Sequence, residues 1–196
     1  MPKKFDPNFF SAPTLEVAPR LLGMTLSTTI KGKTTSGKIV EVEAYRGDID
    51  EAAHSFGRRT KRNEIMYQAG GLCYVYFIYG MHYCVNVVTE KEDFGAAVLI
   101  RALEPIDGIE IMKKRRGLKE GEIYNLTNGP SKLCEALAID KKLLGEHFLR
   151  SDKIKLIPSD EVTADEVHAT TRIGISKSKD LPWRFYIKGN PWISKK

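Results

Sequence analysis

Acidic, phenolic and imidazole side chains lie close together in one stretch of the chain, residues 39–55, which reads IVEVEAYRGDIDEAAHS. Within it, Val40, Val42 and Ala44 alternate with Glu41, Glu43 and Tyr45. A period of two predicts a half-buried strand with two carboxylates and a phenol on one face. A carboxylate beside a substrate can act as a general base and activate a water molecule. The alternation by itself favours a simpler interpretation, in which the acids face solvent and keep a sheet soluble.

The other common catalytic signals are missing from the sequence. It contains no Walker loop, dinucleotide fingerprint, zincin motif or Gly-x-Ser-x-Gly elbow, which disfavours nucleotide hydrolysis, hydride transfer, metalloproteolysis and that class of esterase. No metal site is predicted, because none of the histidines has ligand spacing: His54, His82, His147 and His168. What remains is a carboxylate with aromatic neighbours on a basic background, and this set suits a pocket that stacks nucleobases.

The composition is typical of a globular protein. The chain has 196 residues, 42% of them hydrophobic, and no repeat or linker, so we expect a single domain over residues 1–196. Lys and Arg number 31 against 25 Asp and Glu, and the net charge of +6 is compatible with a polyanionic partner. No apolar run is long enough to cross a bilayer and no signal peptide is evident, which predicts an intracellular location. The three cysteines form no Cys-x-x-Cys pair, so buried free thiols are expected.

Periodicity and turn residues predict a mixture of strands and helices. Residues 24–30 and 37–45 predict a hairpin joined by a polar loop, KGKTTSG. The other predicted elements are helices at 14–22, 104–116 and 131–139 and strands at 96–103, 154–157 and 183–187. Thr14 and Asn128 are the predicted N-caps of the first and third helices, and Ile106 belongs to the predicted apolar stripe of the second.

A second hairpin is predicted in residues 72–88, LCYVYFIYGMHYCVNVV, with a tight turn at Tyr79 and Gly80. This places Tyr79 and Met81 at the tip. An exposed apolar tip indicates a wedge or a contact surface. The alternative, equally compatible with the sequence, is that both side chains fold back into the core and that Tyr76 is ordinary packing.

Two sets of basic residues need partners. The cluster Arg58, Arg59, Lys61 and Arg62 is typical of a solvated loop, although a nucleic-acid backbone would also attract it. Arg101 follows an apolar strand segment, where an unpaired charge would be costly.

Five blocks of sequence occur in an order that is familiar from one family: EVEAYRGDIDEAAHS, YVYFIYGMHYCVNVV, VLIRALEP, NGPSKLCEALAI and RFYIKGNPWIS. Together they closely resemble the alkyladenine (3-methyladenine) DNA glycosylase family, from about the first helix to the C-terminus. The resemblance implies an α+β fold with a curved, mostly antiparallel sheet, peripheral helices and a protruding hairpin. It also implies a monofunctional base-excision repair enzyme that uses water to hydrolyse the N-glycosidic bond of alkylated or deaminated purines.

The resemblance assigns roles to individual residues of the reaction. Glu43 matches the general base that activates the water, and Arg101 and the backbone carbonyl of Ile173 match the groups that help to hold that water. Tyr79 falls at the residue that intercalates into DNA, and Met81 beside it matches a contact to the neighbouring bases.

The same resemblance defines a base-binding pocket. Tyr45 and Tyr76 match residues that stack on the flipped base, with His54 on the opposite face. Asn86 matches a side chain that rejects the exocyclic amine of guanine. Glu41 has no assigned role and is expected to be structural.

The implied partner is double-stranded DNA that contains 3-methyladenine, 7-methylguanine, hypoxanthine or ethenoadenine. No cofactor, metal or membrane is implied, and a monomer in the cytoplasm, associated with the nucleoid of a prokaryote, is expected. One alternative is a non-catalytic protein that binds distorted or damaged DNA. Another is a hydrolase of RNA or free nucleosides, which the absence of an Asp-rich calcium motif disfavours.

Overall fold

The structure is a computed structural model that describes residues 5–6, 8–119, 121–159 and 162–195. Within these residues the strands are β1 (Thr25–Ile30), β2 (Lys33–Arg46), β3 (Cys73–Ile78), β4 (His82–Thr89), β5 (Ala96–Asp107), β6 (Ile154–Ile157), β7 (Val167–Thr170) and β8 (Arg184–Ile187). The α-helices are α1 (Thr14–Leu21), α2 (Ile109–Arg116) and α3 (Pro130–Ala136). Short 3-10 helices lie at Phe9–Ser11, Glu64–Tyr67, Ile123–Asn125, Lys141–Leu143 and Ala164–Glu166.

The strands form one antiparallel sheet in the order β3-β4-β5-β2-β1-β6, and β8 pairs with both β2 and β7. Strand β2 is the centre of the sheet. Along one edge it pairs with β5, whereas along the other it pairs first with β1 and then with β8. The β2–β5 register shifts between Ile39 and Val42, and such a bulge bends a strand and increases its twist. This confirms the predicted α+β fold with a curved, mostly antiparallel sheet.

The register shift also changes which side chains of β2 enter the main core. Ile39, Val42 and Ala44 belong to that core, but Val40 packs with Ala102 and Ile193 in a separate cluster. The prediction that Val40 shares a face with the later apolar residues is therefore wrong, because the alternation restarts at the bulge. The prediction of a half-buried strand is wrong as well, since β2 is buried on both faces from Thr35 to Ala44 except at Lys38.

The predicted first hairpin is confirmed, but its loop is much shorter than expected. Lys31 and Gly32 make the turn, and β2 already begins at Lys33. Threonines extend the pairing into the predicted loop, where the hydroxyls of Thr28 and Thr35 are 3.0 Å apart across the strands. β-Branched threonine favours a strand, and this preference outweighs the polar composition of the segment.

The predicted helix at 104–116 is half wrong. Strand β5 continues to Asp107 because Glu104 and Pro105 pair with β2. The helix begins at Ile109 after Gly108, whose φ of +74° is a conformation that favours glycine. Ile106 therefore lies on the strand, exposed to solvent, and is not part of a helical stripe.

Neither predicted N-cap does that job with its own side chain. The backbone N–H and hydroxyl of Thr14 both donate to the carboxylate of Glu90, at 2.7 and 2.9 Å. Helix α3 begins at Pro130 after Gly129, and the Asn128 side chain accepts a hydrogen bond from Lys132 instead.

The predicted free thiols are confirmed, because Cys73, Cys84 and Cys134 are all buried and form no disulfide. Among the described residues, no helix has the length and apolar character needed to traverse a bilayer.

A buried ion pair joins two loops at the end of β2. Arg172 donates to both carboxylate oxygens of Asp50, at 2.5 and 2.8 Å, and to the carbonyl of Ala44 at 2.9 Å. Both charged side chains are fully buried. The pair fixes the loop before residue 54 against the loop that contains residue 173.

We expect Asp50→Ala to lower the free energy of unfolding by about 3–5 kcal/mol, because it leaves the Arg172 charge buried without its partner. The matched control is Glu51→Ala, which removes an exposed ion pair with Lys177 and should cost less than about 1 kcal/mol. Urea denaturation followed by circular dichroism measures both. Equal losses in the two variants would show that the buried pair contributes nothing special.

Candidate active site

A cavity of about 670 Å³ opens beside the C-terminal end of β2, between the β3–β4 hairpin and the two loops that Arg172 and Asp50 connect. Its lining includes the predicted site residues Tyr45, His54, Tyr76, Tyr79, Asn86, Arg101 and Ile173. The fold thus brings together residues that are up to 128 positions apart in the sequence. Glu43 stands behind this lining, in contact with three of its members.

Glu43 is fully buried and accepts three hydrogen bonds. The Tyr45 hydroxyl donates to Oε2 at 2.8 Å, Arg101 Nη1 donates to Oε2 at 3.1 Å, and the backbone N–H of Ile173 donates to Oε1 at 2.7 Å. A carboxylate that meets only donors is matched in its ionised form, which accepts hydrogen bonds at about four positions. The simple interpretation of Glu43 as a solvated acid is therefore wrong.

Arg101 has the partners that its position in a buried strand requires. It lies on β5, one strand away from Glu43, and is almost fully buried. Besides donating to Glu43, its Nε donates to Oε1 of Glu41 at 3.1 Å. One guanidinium thus bridges the two carboxylates of β2.

Tyr45 connects Glu43 to the pocket. Its ring lines the cavity, and the Arg172 guanidinium lies 4.6 Å from the ring centroid. Burial, together with the charge of Glu43, raises the pKa of the Tyr45 hydroxyl. The hydroxyl therefore remains a proton donor to Glu43 at neutral pH.

His54 and Tyr76 form one wall of the pocket. Their ring centroids are 4.5 Å apart and the ring planes are nearly perpendicular. His54 Nδ1 lies 2.8 Å from the Tyr74 hydroxyl oxygen. In the described part of the chain, no ring contact joins Tyr45 to either residue. That a flipped base lies between the two tyrosines on one face and His54 on the other remains a prediction.

Two residues that the sequence did not single out as functional hold this wall in place. The side-chain amide of Asn63 donates to the carbonyl of His54 at 2.7 Å, and nothing in the local sequence indicates this contact. Tyr74 orients the His54 imidazole, and its spacing of two from Tyr76 was the available signal. The side chain of Asn86 is also anchored, because its Nδ2 donates to the Tyr74 carbonyl at 3.0 Å.

The tip of the second hairpin projects into solvent. Tyr79 is 80% exposed and Met81 is 70% exposed, so the interpretation of these residues as core packing is wrong. Tyr79 adopts φ +53° and Gly80 φ +69° in a three-residue turn between β3 and β4. Tyr79 also lines the pocket entrance. An apolar pair at the edge of a pocket is unusual unless something covers it.

The basic cluster divides into two parts. Arg59 is engaged on the surface, with Glu64 at 2.6 Å and Asp93 at 2.6 Å, and its guanidinium lies over the Tyr67 ring. Arg58, Lys61 and Arg62 are exposed. Among all described residues, no group of three or more His, Cys, Asp or Glu is arranged to hold a metal ion.

Arg62 influences the pocket electrostatically. Although His54 is exposed at the rim, the atoms packed around its ring partly desolvate it, and this desolvation lowers its pKa, with a further lowering from the charge of Arg62. The same two effects act in opposite directions on Tyr74, where burial outweighs Arg62 and raises the hydroxyl pKa to about 12. His54 is therefore neutral at physiological pH.

We predict that Arg62→Gln raises the pKa of His54, because it removes a cation that disfavours the imidazolium. An NMR titration of the imidazole measures this shift, with the His54 signal assigned by its loss in His54→Gln. Lys61→Gln, a neighbouring exposed position, serves as the control and should leave the titration unchanged. An unchanged His54 titration in Arg62→Gln would contradict the electrostatic role of Arg62.

Comparison with known proteins agrees with these observations. The sequence model of the Methylpurine-DNA glycosylase (MPG) family matches residues 8–191. A protein of Alkaliphilus oremlandii named "Putative 3-methyladenine DNA glycosylase" is 46% identical over 203 residues, covering 98% of this chain and 100% of the relative. Proteins of the same name from Bacillus cereus and Clostridium botulinum are 48% and 46% identical over 202 and 198 residues, covering 97% and 96% of this chain and 98% and 97% of the relatives. The predicted resemblance is confirmed: the chain belongs to the methylpurine-DNA glycosylase family and is, as a member, a DNA glycosylase, a hydrolase of DNA repair.

Proposed function

We propose that this protein removes damaged purines from duplex DNA by hydrolysing the N-glycosidic bond of a flipped nucleotide, with Glu43 as the general base. The observation that carries the proposal is the buried carboxylate of Glu43, held by three donors, directly behind a pocket with aromatic walls. The proposed substrates include 3-methyladenine, for which the relatives are named, together with 7-methylguanine, hypoxanthine and ethenoadenine.

The hydrogen bonds of Glu43 leave room for one water molecule. Three of about four acceptor positions on the carboxylate are occupied. A water at the fourth would transfer a proton to Glu43 as its oxygen attacks C1′ of the deoxyribose. The electron pair of the breaking C1′–N bond passes to the purine, so a cationic alkylated purine departs as a neutral molecule. No general acid is needed for that class of lesion.

Arg101 and Ile173 would assist this step from opposite oxygens of Glu43. Arg101 and the Tyr45 hydroxyl hold Oε2, and the Ile173 N–H holds Oε1. The backbone of residue 173 therefore borders the carboxylate, and the carbonyl of Ile173, in the next peptide group, is the proposed second acceptor for the water. Positioned groups of this kind lower the barrier by fixing the reactants before the reaction.

The pocket has the size and chemistry for one flipped purine. Its volume lies within the range of small-molecule sites, and stacking on an aromatic ring contributes about 1–3 kcal/mol per base. Arg172 already covers one face of Tyr45, so the base would stack on the other face, opposite Tyr76 and His54. Because a cation on Tyr45 weakens its attraction for a second cation, Tyr76 is the better partner for a positively charged purine.

Asn86 is the proposed element of selection against guanine. Its amide nitrogen is tied to the Tyr74 carbonyl and its side chain is buried in the pocket lining. An anchored side chain cannot turn away from an additional amino group. Undamaged guanine would therefore fit less well than hypoxanthine, which lacks that group. The proposed substrate 7-methylguanine keeps the amino group, but its positive charge weakens the C1′–N bond that must break.

Tyr79 is the proposed wedge, with Met81 as its neighbour against the adjoining bases. Inserting an apolar side chain between base steps costs a few kcal/mol of unstacking, which contacts to the bent duplex offset. Damaged or mispaired bases cost least to extrude, so flipping adds to selectivity. The exposure of this pair favours a duplex partner over a free nucleoside.

We expect Glu43→Gln to reduce base release by about 10²–10⁴-fold while binding of lesion-containing duplex is retained, because the amide keeps the shape of the side chain and cannot accept the proton. Release is measured with duplexes that carry hypoxanthine or 7-methylguanine, followed by alkaline cleavage of abasic sites, and binding by fluorescence anisotropy. Glu110→Gln, at an exposed glutamate of α2 that pairs with Lys113, is the control and should remain active. Tight binding without release by the wild type would instead support the non-catalytic damage-binding alternative.

The wedge has its own test. Tyr79→Ala should slow excision from duplex DNA roughly tenfold or more, yet change excision from single-stranded DNA little, because only the duplex must be unstacked. Tyr124→Ala, which removes another exposed tyrosine, should leave both rates near those of the wild type. An equal fall in the excision rate on the two substrates would contradict the wedge and leave Tyr79 with a role in the pocket alone.

A further inference from the structure

A second buried carboxylate lies behind Glu43. Glu41 is fully buried on β2 and accepts four hydrogen bonds from three residues. The donors are Arg101 Nε at 3.1 Å, Arg184 Nε at 2.7 Å, the Ser194 N–H at 2.5 Å and the Ser194 hydroxyl at 2.8 Å. Neither glutamate lines the pocket itself, but all three donors to Glu43 do, whereas only one of the donors to Glu41, Arg101, does.

The same network determines the orientation of Arg101. Its Nε is held by Glu41, its Nη2 donates to the Ser194 hydroxyl at 3.3 Å, and its Nη1 is directed to Glu43. Two of its three nitrogens are therefore fixed by groups that do not touch the proposed base. Moving either group would move the nitrogen that contacts Glu43.

The C-terminal segment closes the network. Arg184 Nη2 donates to the carbonyl of Lys195, and Ile193 packs against Val40 and Ala102. Val40 is the residue that the bulge in β2 directs away from the main core. The irregularity of β2 and the C-terminal segment thus enclose the two carboxylates together.

We propose that Glu41, Arg184 and Ser194 are positioning residues that hold Arg101 against Glu43 and set the charge balance under which Glu43 acts as a base. This inference rests on the function proposed above. Glu41 and Glu43 carry two negative charges, and Arg101 and Arg184 carry two positive charges, so the network is neutral as built. Each change of one charge should alter how readily Glu43 takes up a proton.

The direction of each effect follows from the charges. Without the negative charge of Glu41, the remaining cations keep Glu43 ionised to lower pH and make it a weaker base. Without the positive charge of Arg184, Glu43 takes up a proton at higher pH. The titratable and charged groups facing Glu43 are Glu41 and Tyr45 on β2, Cys84 on β4, Arg101 on β5, Arg184 on β8 and Arg172 beside Tyr45.

The test is the pH dependence of single-turnover excision of 7-methylguanine from duplex DNA, a lesion that is cationic without being protonated. Glu41→Gln should move the acid limb of the profile to lower pH, and Arg184→Gln should move it to higher pH, each by on the order of one pH unit. The double variant restores neutrality, so its acid limb should return to near the wild-type position. Glu104→Gln, a partly exposed partner of Lys38, should leave the limb unchanged.

A milder variant covers the case in which the buried substitutions prevent folding. Ser194→Ala should lower kcat roughly fivefold with little change in KM, because Arg101 and Glu41 each lose one hydrogen bond to the neutral Ser194 hydroxyl, and Ser194→Thr should restore most of the rate. Thermal unfolding is recorded for every variant. The network would be purely structural if the variants unfold at lower temperature while their acid limbs stay in place. The same conclusion would follow if Ser194→Ala lowers kcat/KM only by raising KM.

The two proposals fail in different ways. Absence of release by the wild type would overturn the proposed function, and this inference with it. If base release depends on Glu43 but the acid limb of its pH profile stays in place in Glu41→Gln and Arg184→Gln, this inference alone is overturned.

Discussion

The structure depends on burying two carboxylates that lie two residues apart on one strand, on the face opposite the main core. Removing an ion from water costs several kcal/mol even after relaxation, and Glu41 and Glu43 are both fully buried. Hydrogen-bond donors from four different parts of the chain offset this cost. Strand β5 supplies Arg101, β8 supplies Arg184, the loop after β7 supplies the Ile173 N–H, and the C-terminal segment supplies Ser194.

This requirement explains the topology around β2. A strand in the middle of a regular sheet has one neighbour on each edge, but β2 exchanges β1 for β8 along its length. The exchange brings Arg184 opposite Glu43 in the β2–β8 register. The bulge near Val40 then separates the apolar face, which packs on the main core, from the face that carries the two acids.

The pocket is supported by the same end of the sheet. Arg172 ties Asp50 to the Ala44 carbonyl and lies over Tyr45, while the next residue, Ile173, donates to Glu43. The pocket loops therefore cannot move far without disturbing the proposed base. The hairpin tip differs, because Tyr79 and Met81 project from the sheet with little around them. A rigid site beside a projecting apolar tip is what the proposed function requires, in which one base is held in the pocket while the duplex is deformed.

The sequence by itself determined the family, the fold class and the set of candidate residues, because five ordered blocks preserve the residue types that this chemistry needs. It also located the hairpin tip, since Tyr79 and Met81 flank a glycine turn between two apolar strands. It did not determine that Glu41 and Glu43 are buried, because alternation of polar and apolar residues is the same for a solvated face and for one covered by distant segments. Only the tertiary structure placed Arg184 and Ser194 on Glu41, 143 and 153 residues away in the chain. Long-range hydrogen bonds of this kind leave no local pattern, and they decided which carboxylate is bonded to the residues that line the pocket and which lies further behind them.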